Sequence, residues 1–130
     1  IQFFTPGVPQ VYYMGLLAGE NDYELMERTN YDRNISRHNY TVEEIEAAVE
    51  KPVVKRLRRL MQFRNAYPVF DGEMSLPGME DSRLVVRWTD GGLEAVLDAD
   101  LKARTFVITY LDKNGMEMIL NLEEDFYWDE

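Results

Sequence analysis

The spacing of apolar residues changes once along this chain, at Tyr67-Pro68. Before that point apolar residues recur mainly at helical spacing, and after it they alternate with polar residues at a period of two. The first pattern predicts amphipathic helices, and the second predicts strands with one covered face. The chain is therefore expected to divide into residues 1–67 and residues 68–130.

Capping residues predict where the helices of the first half begin. Asp22 is a suitable N-cap, and Thr41 followed three residues later by Glu44 forms a capping box. Pro52 suits the first turn of a further helix, where its missing N–H costs little. The predicted helices are 22–28, 41–50 and 52–66.

Residues 8–13 have a different pattern from the helices around them. An apolar stub at residues 1–5, predicted to end a helix, stops at Pro6-Gly7. The β-branched and aromatic run that follows lacks polar alternation, which is typical of a strand covered on both faces in a parallel barrel. Such a strand needs neighbouring strands, and too few residues precede it to form them. The chain also begins with Ile1 rather than with methionine. We therefore expect the C-terminal piece of a larger enzyme, cut inside its barrel.

The second half predicts a small antiparallel β-domain. Turn signals at Asp90-Gly91-Gly92 and Lys113-Asn114-Gly115 separate runs of alternating residues. A further strand is expected near 70–76. The remaining predicted strands are 83–88, 93–98, 105–110 and 116–120.

Composition narrows the possible classes of function. The net charge of −10 argues against a nucleic-acid partner, and no apolar run is long enough for a membrane span, so no membrane partner is expected. A basic run at 51–64 could suggest a nucleic-acid patch, but the solvated face of an amphipathic helix explains it more simply. The absence of cysteine fits a reducing compartment. With one histidine and no cysteine, no thiolate or histidine-cluster metal site is expected.

Three segments of the first half carry a family resemblance. They are residues 15–22 (GLLAGEND), 33–40 (RNISRHNY) and 52–57 (PVVKRL). Together they resemble the sucrose phosphorylase family of the α-amylase superfamily, and the likeness extends over residues 1 to about 73.

The resemblance implies an α/β plus β fold. Residues 1–67 would supply the end of helix 7, strand 8, a long loop and helix 8 of a (β/α)8 barrel. Residues 68–130 would form a small antiparallel β-sandwich domain. The rest of the parent barrel would then be the main partner of this chain.

The resemblance also implies an activity. The family transfers a glucosyl unit from sucrose to inorganic phosphate, with a carboxylate nucleophile and an acid/base carboxyl group. These groups lie on earlier barrel strands, so no catalytic residue is assigned here and the chain alone is expected to be inactive. The implied enzyme is cytoplasmic, gives glucose 1-phosphate and fructose, and needs no metal or organic cofactor. Alternatives are a phosphorylase for sucrose 6′-phosphate, glucosylglycerate or glucosylglycerol, or an α-amylase-type hydrolase.

Arg33 is the candidate binding residue that the resemblance brings. It matches the arginine of the family motif Gly-Arg-Asp-Ile-Asn-Arg-His, which reaches the acceptor subsite and contacts the fructosyl unit or phosphate. A guanidinium suits that task because its planar fork can make two hydrogen bonds to phosphate. The alternative is an arginine that only ties the loop to the barrel, and Arg37 and His38 are expected to be loop scaffolding. The chain departs from the motif at Asp32, Asn34 and Ser36.

A hypothesis from another class makes the β-domain a carbohydrate-binding module or a purely structural one. Binding to a polysaccharide surface needs exposed coplanar aromatic rings. The available aromatic residues are Trp88, Tyr110, Phe126, Tyr127 and Trp128.

Overall fold

The computed structural model describes residues 1–128 and divides the chain into two compact units. Ile1–Pro9 and Met61–Glu130 form one unit, which we call the sheet unit. Gln10–Leu60 form the other, which we call the helical unit. A boundary between barrel and β-domain at 67/68 stays a prediction.

The helical unit is built of short helices joined by polar connections. Its small core consists of Met14, Leu17, Ala48 and Val54, the buried apolar side chains among its residues. Its elements are α1 (Tyr13–Leu16), α2 (Tyr23–Thr29), a 3₁₀ turn (Asp32–Ser36), α3 (Val42–Val49) and the first part of α4 (Pro52–Ala66).

The predicted helix starts are confirmed in atomic detail. Asp22 Oδ1 accepts a hydrogen bond of 2.8 Å from the Leu25 N–H at the start of α2. At α3, Thr41 Oγ1 accepts from the Glu44 N–H at 3.3 Å, and Glu44 Oε2 accepts from the Thr41 N–H at 2.7 Å. These bonds satisfy N–H groups that have no partner inside the helix. Local sequence therefore determines both helix starts.

The predicted strand at 8–13 is wrong for this chain. No regular element covers residues 8–12, and α1 begins at Tyr13. Val8 is 92% exposed and Tyr12 is 53% exposed, so the face that would carry these two side chains is uncovered. The physical reason is that a strand forms through hydrogen bonds to neighbouring strands. Residues 1–128 contain no strand that pairs with this segment.

The sheet unit contains one five-stranded antiparallel sheet in which each strand pairs with the next along the chain. The predicted strands are confirmed within a few residues, and the one expected near 70–76 starts three residues later. The strands are β1 (Glu73–Met79), β2 (Arg83–Asp90), β3 (Leu93–Asp100), β4 (Thr105–Leu111) and β5 (Glu117–Ile119).

The two predicted turns connect neighbouring strands. Asp90 pairs with Leu93 across a two-residue turn in which Gly91 has φ 52° and Gly92 has φ 89°. Positive φ at both central positions is the geometry of a type I′ turn, which glycine adopts without strain. The longer turn after β4 is closed by Asp112, whose carboxylate accepts from the Asn114 N–H at 2.8 Å.

The predicted β-sandwich is also wrong. A sandwich needs two packed sheets, and residues 1–128 contain one. Aromatic residues from the end of α4 and from a 3₁₀ turn at Pro68–Asp71 cover its inner face. Phe63 is fully buried, and its ring centroid lies 4.9 to 5.6 Å from those of four other aromatic rings. The Tyr67 hydroxyl lies 3.0 Å from the Glu94 carbonyl of β3 and 2.8 Å from the Leu111 carbonyl of β4. This aromatic layer occupies the place of a second sheet.

The N-terminal residues join the same core. Gln2–Phe4 form a 3₁₀ turn, and the end of a longer helix at residues 1–5 stays a prediction. Phe3 and Phe4 are buried, and the Phe4 carbonyl accepts a 2.9 Å hydrogen bond from Trp88 Nε1. The buried indole N–H is thereby satisfied.

Candidate functional site

Arg33 lies on the 3₁₀ turn Asp32–Ser36, in the connection between α2 and α3. Its side chain is exposed. Within residues 1–128 the structure shows no hydrogen bond or ion pair to its guanidinium. The fork of this arginine is therefore open to an anion or a sugar hydroxyl from solution.

The turn that carries Arg33 is fixed to α2 by hydrogen bonds at both ends of the helix. The Asp22 N–H donates to the Ile35 carbonyl at 2.7 Å. At the other end, Asn34 Nδ2 donates to Thr29 Oγ1 at 2.8 Å. The turn is thus held as a rigid extension of α2.

His38 bridges the N-cap residue of α2 and the N3 residue of the α3 capping box. Its Nδ1 lies 3.1 Å from Asp22 Oδ2, and its Nε2 lies 3.2 Å from Glu44 Oε1. Each carboxylate uses one oxygen for its cap and the other for His38. The sequence predicts a supporting role for His38 but not these partners, which lie 16 and 6 residues away along the chain.

These contacts shift three pKa values. Hydrogen bonds to Asp22, and then to Glu44, raise the pKa of His38 above its ordinary value of 6.5. The Leu25 N–H, followed by His38, lowers the pKa of Asp22. The Thr41 N–H, followed by His38, lowers the pKa of Glu44. All three shifts favour a charged imidazolium between two carboxylates.

Two tyrosines complete the surroundings of His38. The Tyr13 hydroxyl donates to the His38 carbonyl at 3.0 Å. The Tyr40 ring meets the His38 ring edge to face, with centroids 4.7 Å apart. Tyr40 also lies against Gly19, where a Cβ would come within 2.0 Å of the tyrosine oxygen. A side chain larger than hydrogen at Gly19 would therefore displace Tyr40.

An open cleft of about 550 Å³ lies beside this cluster. Lys51 Nζ donates hydrogen bonds to the Leu17 and Ala18 carbonyls, at 3.4 and 3.2 Å. Its ammonium group is therefore already bound to backbone oxygens. Arg33 lies outside the cleft. The lining residues are Gly19, Glu20, Asn21, Asp22, Tyr23, Glu24, His38, Tyr40 and Lys51.

The described residues show no metal site. No group of three histidine or carboxylate side chains within 1–128 is arranged to hold an ion. No helix in that range has both the length and the apolar character needed to cross a bilayer.

The aromatic residues of the β-domain do not form a sugar-binding platform. Trp88 is 4% exposed and donates to the Phe4 carbonyl, and Tyr110 and Phe126 pack against Phe63. Tyr127, at 77%, is the one of the five candidates that is largely exposed. A structural role is the better interpretation of this domain.

Comparison with models of known protein families gives no match. The chain is 52% identical over 112 residues to glucosylglycerol phosphorylase of Marinobacter adhaerens, covering 86% of this chain and 23% of that protein. It is 50% identical over 88 residues to sucrose phosphorylase of Agrobacterium vitis, covering 68% of this chain and 18% of that protein. A crystal structure of sucrose 6F-phosphate phosphorylase from Thermoanaerobacter thermosaccharolyticum matches with a TM-score of 0.88 and 44% identity, over 92% of this chain and 24% of that one.

These matches show that the chain is similar to one part of several glycoside phosphorylases. More narrowly, its homologues are members of the sucrose phosphorylase family, which confirms the resemblance seen in the sequence. The chain spans about a quarter, or less, of the length of these relatives.

Proposed function

We propose that this chain is the C-terminal part of a cytoplasmic, retaining glycoside phosphorylase that transfers a glucosyl unit from sucrose to phosphate. The products are glucose 1-phosphate and fructose. The observation that carries the proposal is the match to a sucrose 6F-phosphate phosphorylase with a TM-score of 0.88 at 44% identity. At that identity the likeness extends beyond the fold to the family.

In this proposal the catalytic carboxylates belong to the rest of the parent barrel. Residues 1–67 would supply the final strand, loop and helix of that barrel once residues 8–13 pair with neighbouring strands of the parent, and residues 68–130 supply the terminal β-domain. The exposure of Val8 and Tyr12 supports this arrangement, because two large apolar or aromatic side chains lie uncovered in the predicted strand segment. Neighbouring strands of a barrel would cover them.

Arg33 is proposed to bind phosphate or the acceptor sugar. Its exposed guanidinium stands on a turn that hydrogen bonds fix to α2, so little ordering is needed when a ligand binds. A guanidinium is a cation with five N–H donors. It can therefore contact both the dianion and the monoanion of phosphate.

The test uses the full-length protein that contains this chain. Wild-type protein, Arg33→Ala, Arg33→Lys and a control, Arg28→Ala, are assayed for phosphate-dependent release of glucose 1-phosphate from sucrose. Because hydrogen bonds to charged groups contribute about 1.5–3 kcal/mol, Arg33→Ala should raise the KM for phosphate or for the acceptor about ten- to a hundredfold.

Arg33→Lys should recover part of this loss, because lysine keeps the charge but not the fork. Arg28→Ala removes the same charge from the last turn of α2 and should change either KM less than twofold. An Arg33→Ala protein with both KM values within twofold of wild type would exclude the binding role of Arg33.

A second candidate is a phosphorylase with a different glucoside, above all glucosylglycerol. The 52% identity to a glucosylglycerol phosphorylase and the altered motif at Asp32, Asn34 and Ser36 favour it. The same assay with sucrose, sucrose 6′-phosphate, glucosylglycerol and glucosylglycerate separates the candidates. Cleavage by water alone, with no glucose 1-phosphate from any of them, would indicate a hydrolase instead.

A further inference from the structure

The bridge made by His38 requires one protonation state of the imidazole. Both ring nitrogens face carboxylate oxygens, which accept hydrogen bonds and cannot donate them when ionised. A neutral imidazole carries one N–H and would leave one nitrogen lone pair facing a negative oxygen. The imidazolium carries two N–H groups and satisfies both partners. The complete bridge therefore belongs to the charged form.

The bridge continues to the turn that carries Arg33. Asp22 binds His38 through Oδ2, caps α2 through Oδ1, and donates its own N–H to the Ile35 carbonyl of that turn. On the other side, Glu44 binds His38 and belongs to the capping box of α3. A single side chain thus connects the Arg33 turn to α3 through Asp22.

The groups that face the imidazole ring are few. From the cap of α2 the facing group is Asp22, and from α3 it is Glu44. The Tyr40 ring packs against the imidazole without charge, and the Tyr13 hydroxyl contacts the His38 carbonyl rather than the ring. The His38 side chain is 34% exposed, so its protons exchange with solvent freely.

We propose that His38, as an imidazolium, is a positioning residue that holds the Arg33 turn against α3 through Asp22 and Glu44. This inference rests on the role proposed above for Arg33. His38 touches neither substrate nor phosphate in this scheme. Its charge state sets how firmly the arginine is held.

The first test measures the turn itself, in the full-length protein. Hydrogen exchange of the segment 20–36 is followed by mass spectrometry at pH 6, where the imidazolium predominates. His38→Ala should speed exchange of this segment about tenfold, because two hydrogen bonds between charged groups are lost at a partly exposed site. His38→Gln keeps one amide donor and should be intermediate.

Matched carboxylate variants separate charge from capping. Asp22→Asn keeps a good N-cap and Glu44→Gln keeps the capping-box pattern, while each removes the charge that faces His38. Both should speed exchange of the segment several-fold. The control Glu46→Gln changes the same charge on α3, on an exposed side chain without contact to His38, and should change exchange less than twofold. Unchanged exchange in His38→Ala would overturn the proposal.

The second test asks whether His38 acts through Arg33. His38→Ala should raise the KM for phosphate or acceptor about fivefold and leave kcat within twofold. In the double variant with Arg33→Ala, the KM should equal that of Arg33→Ala alone. If His38 affects binding only by positioning Arg33, its substitution has no further effect once the arginine is gone. Additive effects in the double variant would overturn the positioning role.

The two tests also distinguish this inference from the proposed function. A wild-type protein without phosphorylase activity refutes the proposed function, and the exchange result then decides the link between His38 and the turn. An active enzyme with unchanged exchange refutes the link and leaves the proposed function standing.

Discussion

The sheet unit and the helical unit are stabilised by different forces. Within residues 1–128, thirteen of the seventeen buried apolar side chains lie in the sheet unit, where aromatic rings pack around Phe63. The helical unit has four, and its connections are fixed by caps and by the His38 bridge. Burial of apolar surface depends little on pH, whereas ionised caps and bridges depend on it strongly.

This difference matches the tasks proposed for the two units. Segments that bind ligands are usually drawn from the less stable part of a fold. The helical unit carries Arg33 on a polar framework, and the sheet unit has a buried aromatic core. Changes in the sheet unit should therefore cost stability, and changes in the helical unit should alter local opening and binding.

The largest effect is expected from Phe63→Ala. Removing a fully buried ring that contacts four others leaves a cavity and should destabilise the sheet unit by about 3–5 kcal/mol. Hydrogen exchange of the β3 amides in the full-length protein measures this cost. The control Phe106→Ala, at a side chain 52% exposed, should cost no more than about 1 kcal/mol. Equal effects of the two changes would contradict the aromatic-core interpretation.

A smaller effect is expected from Thr41→Ala in the helical unit. The change removes the oxygen that accepts from the Glu44 N–H, and loss of such a cap costs about 1 kcal/mol. Exchange of the first amides of α3 should accelerate about fivefold, while the β3 amides should not respond. Thr41→Ser keeps the hydroxyl and should behave like wild type. Acceleration in β3 as well would show that the two regions do not open independently.

The subtlest expected effect is a pH dependence confined to the helical unit. The pKa of His38 is raised, so its contribution is complete below about 6.5, its ordinary value, and is lost as the pH rises through the higher value of the folded state. The pKa values of Asp22 and Glu44 are lowered. Their contributions are complete above their ordinary values of 3.8 and 4.5 and are lost as the pH falls through the folded-state values.

Protection of segment 20–36 should therefore be greatest between about pH 4.5 and 6.5, after correction for the intrinsic exchange rate. The decline above that range should disappear in His38→Gln. A decline that persists in this variant would assign the pH dependence to another group.

Features of the fold that depend on neighbouring residues were predictable from the sequence. Asp22 and Thr41 satisfy N–H groups within three residues, and Gly91-Gly92 meets the demand for positive φ in the turn itself. The single sheet was not predictable, since a period of two does not specify what covers the inner face. The strand at 8–13 failed for the same reason, because pairing depends on strands that its own pattern does not provide.

The candidate site was predictable in part. The motif located Arg33, but its presence on a 3₁₀ turn fixed to α2 depends on a bond between Asp22 and Ile35 that no local pattern predicts. The bridge from His38 was missed although both of its partners were recognised as caps. Asp22 and Glu44 each use one carboxylate oxygen at a helix start, which leaves the second oxygen able to accept from another donor. That second oxygen was the signal in the sequence for a further hydrogen-bond partner.

The hydrogen bond from Trp88 to Phe4 joins residues that are 84 positions apart. At a translation rate of about 5–20 residues per second, Phe4 is synthesised roughly 4–17 s before its indole partner exists. The bond can therefore form only after residues 5–88 have been synthesised. It completes this part of the core and cannot start its folding.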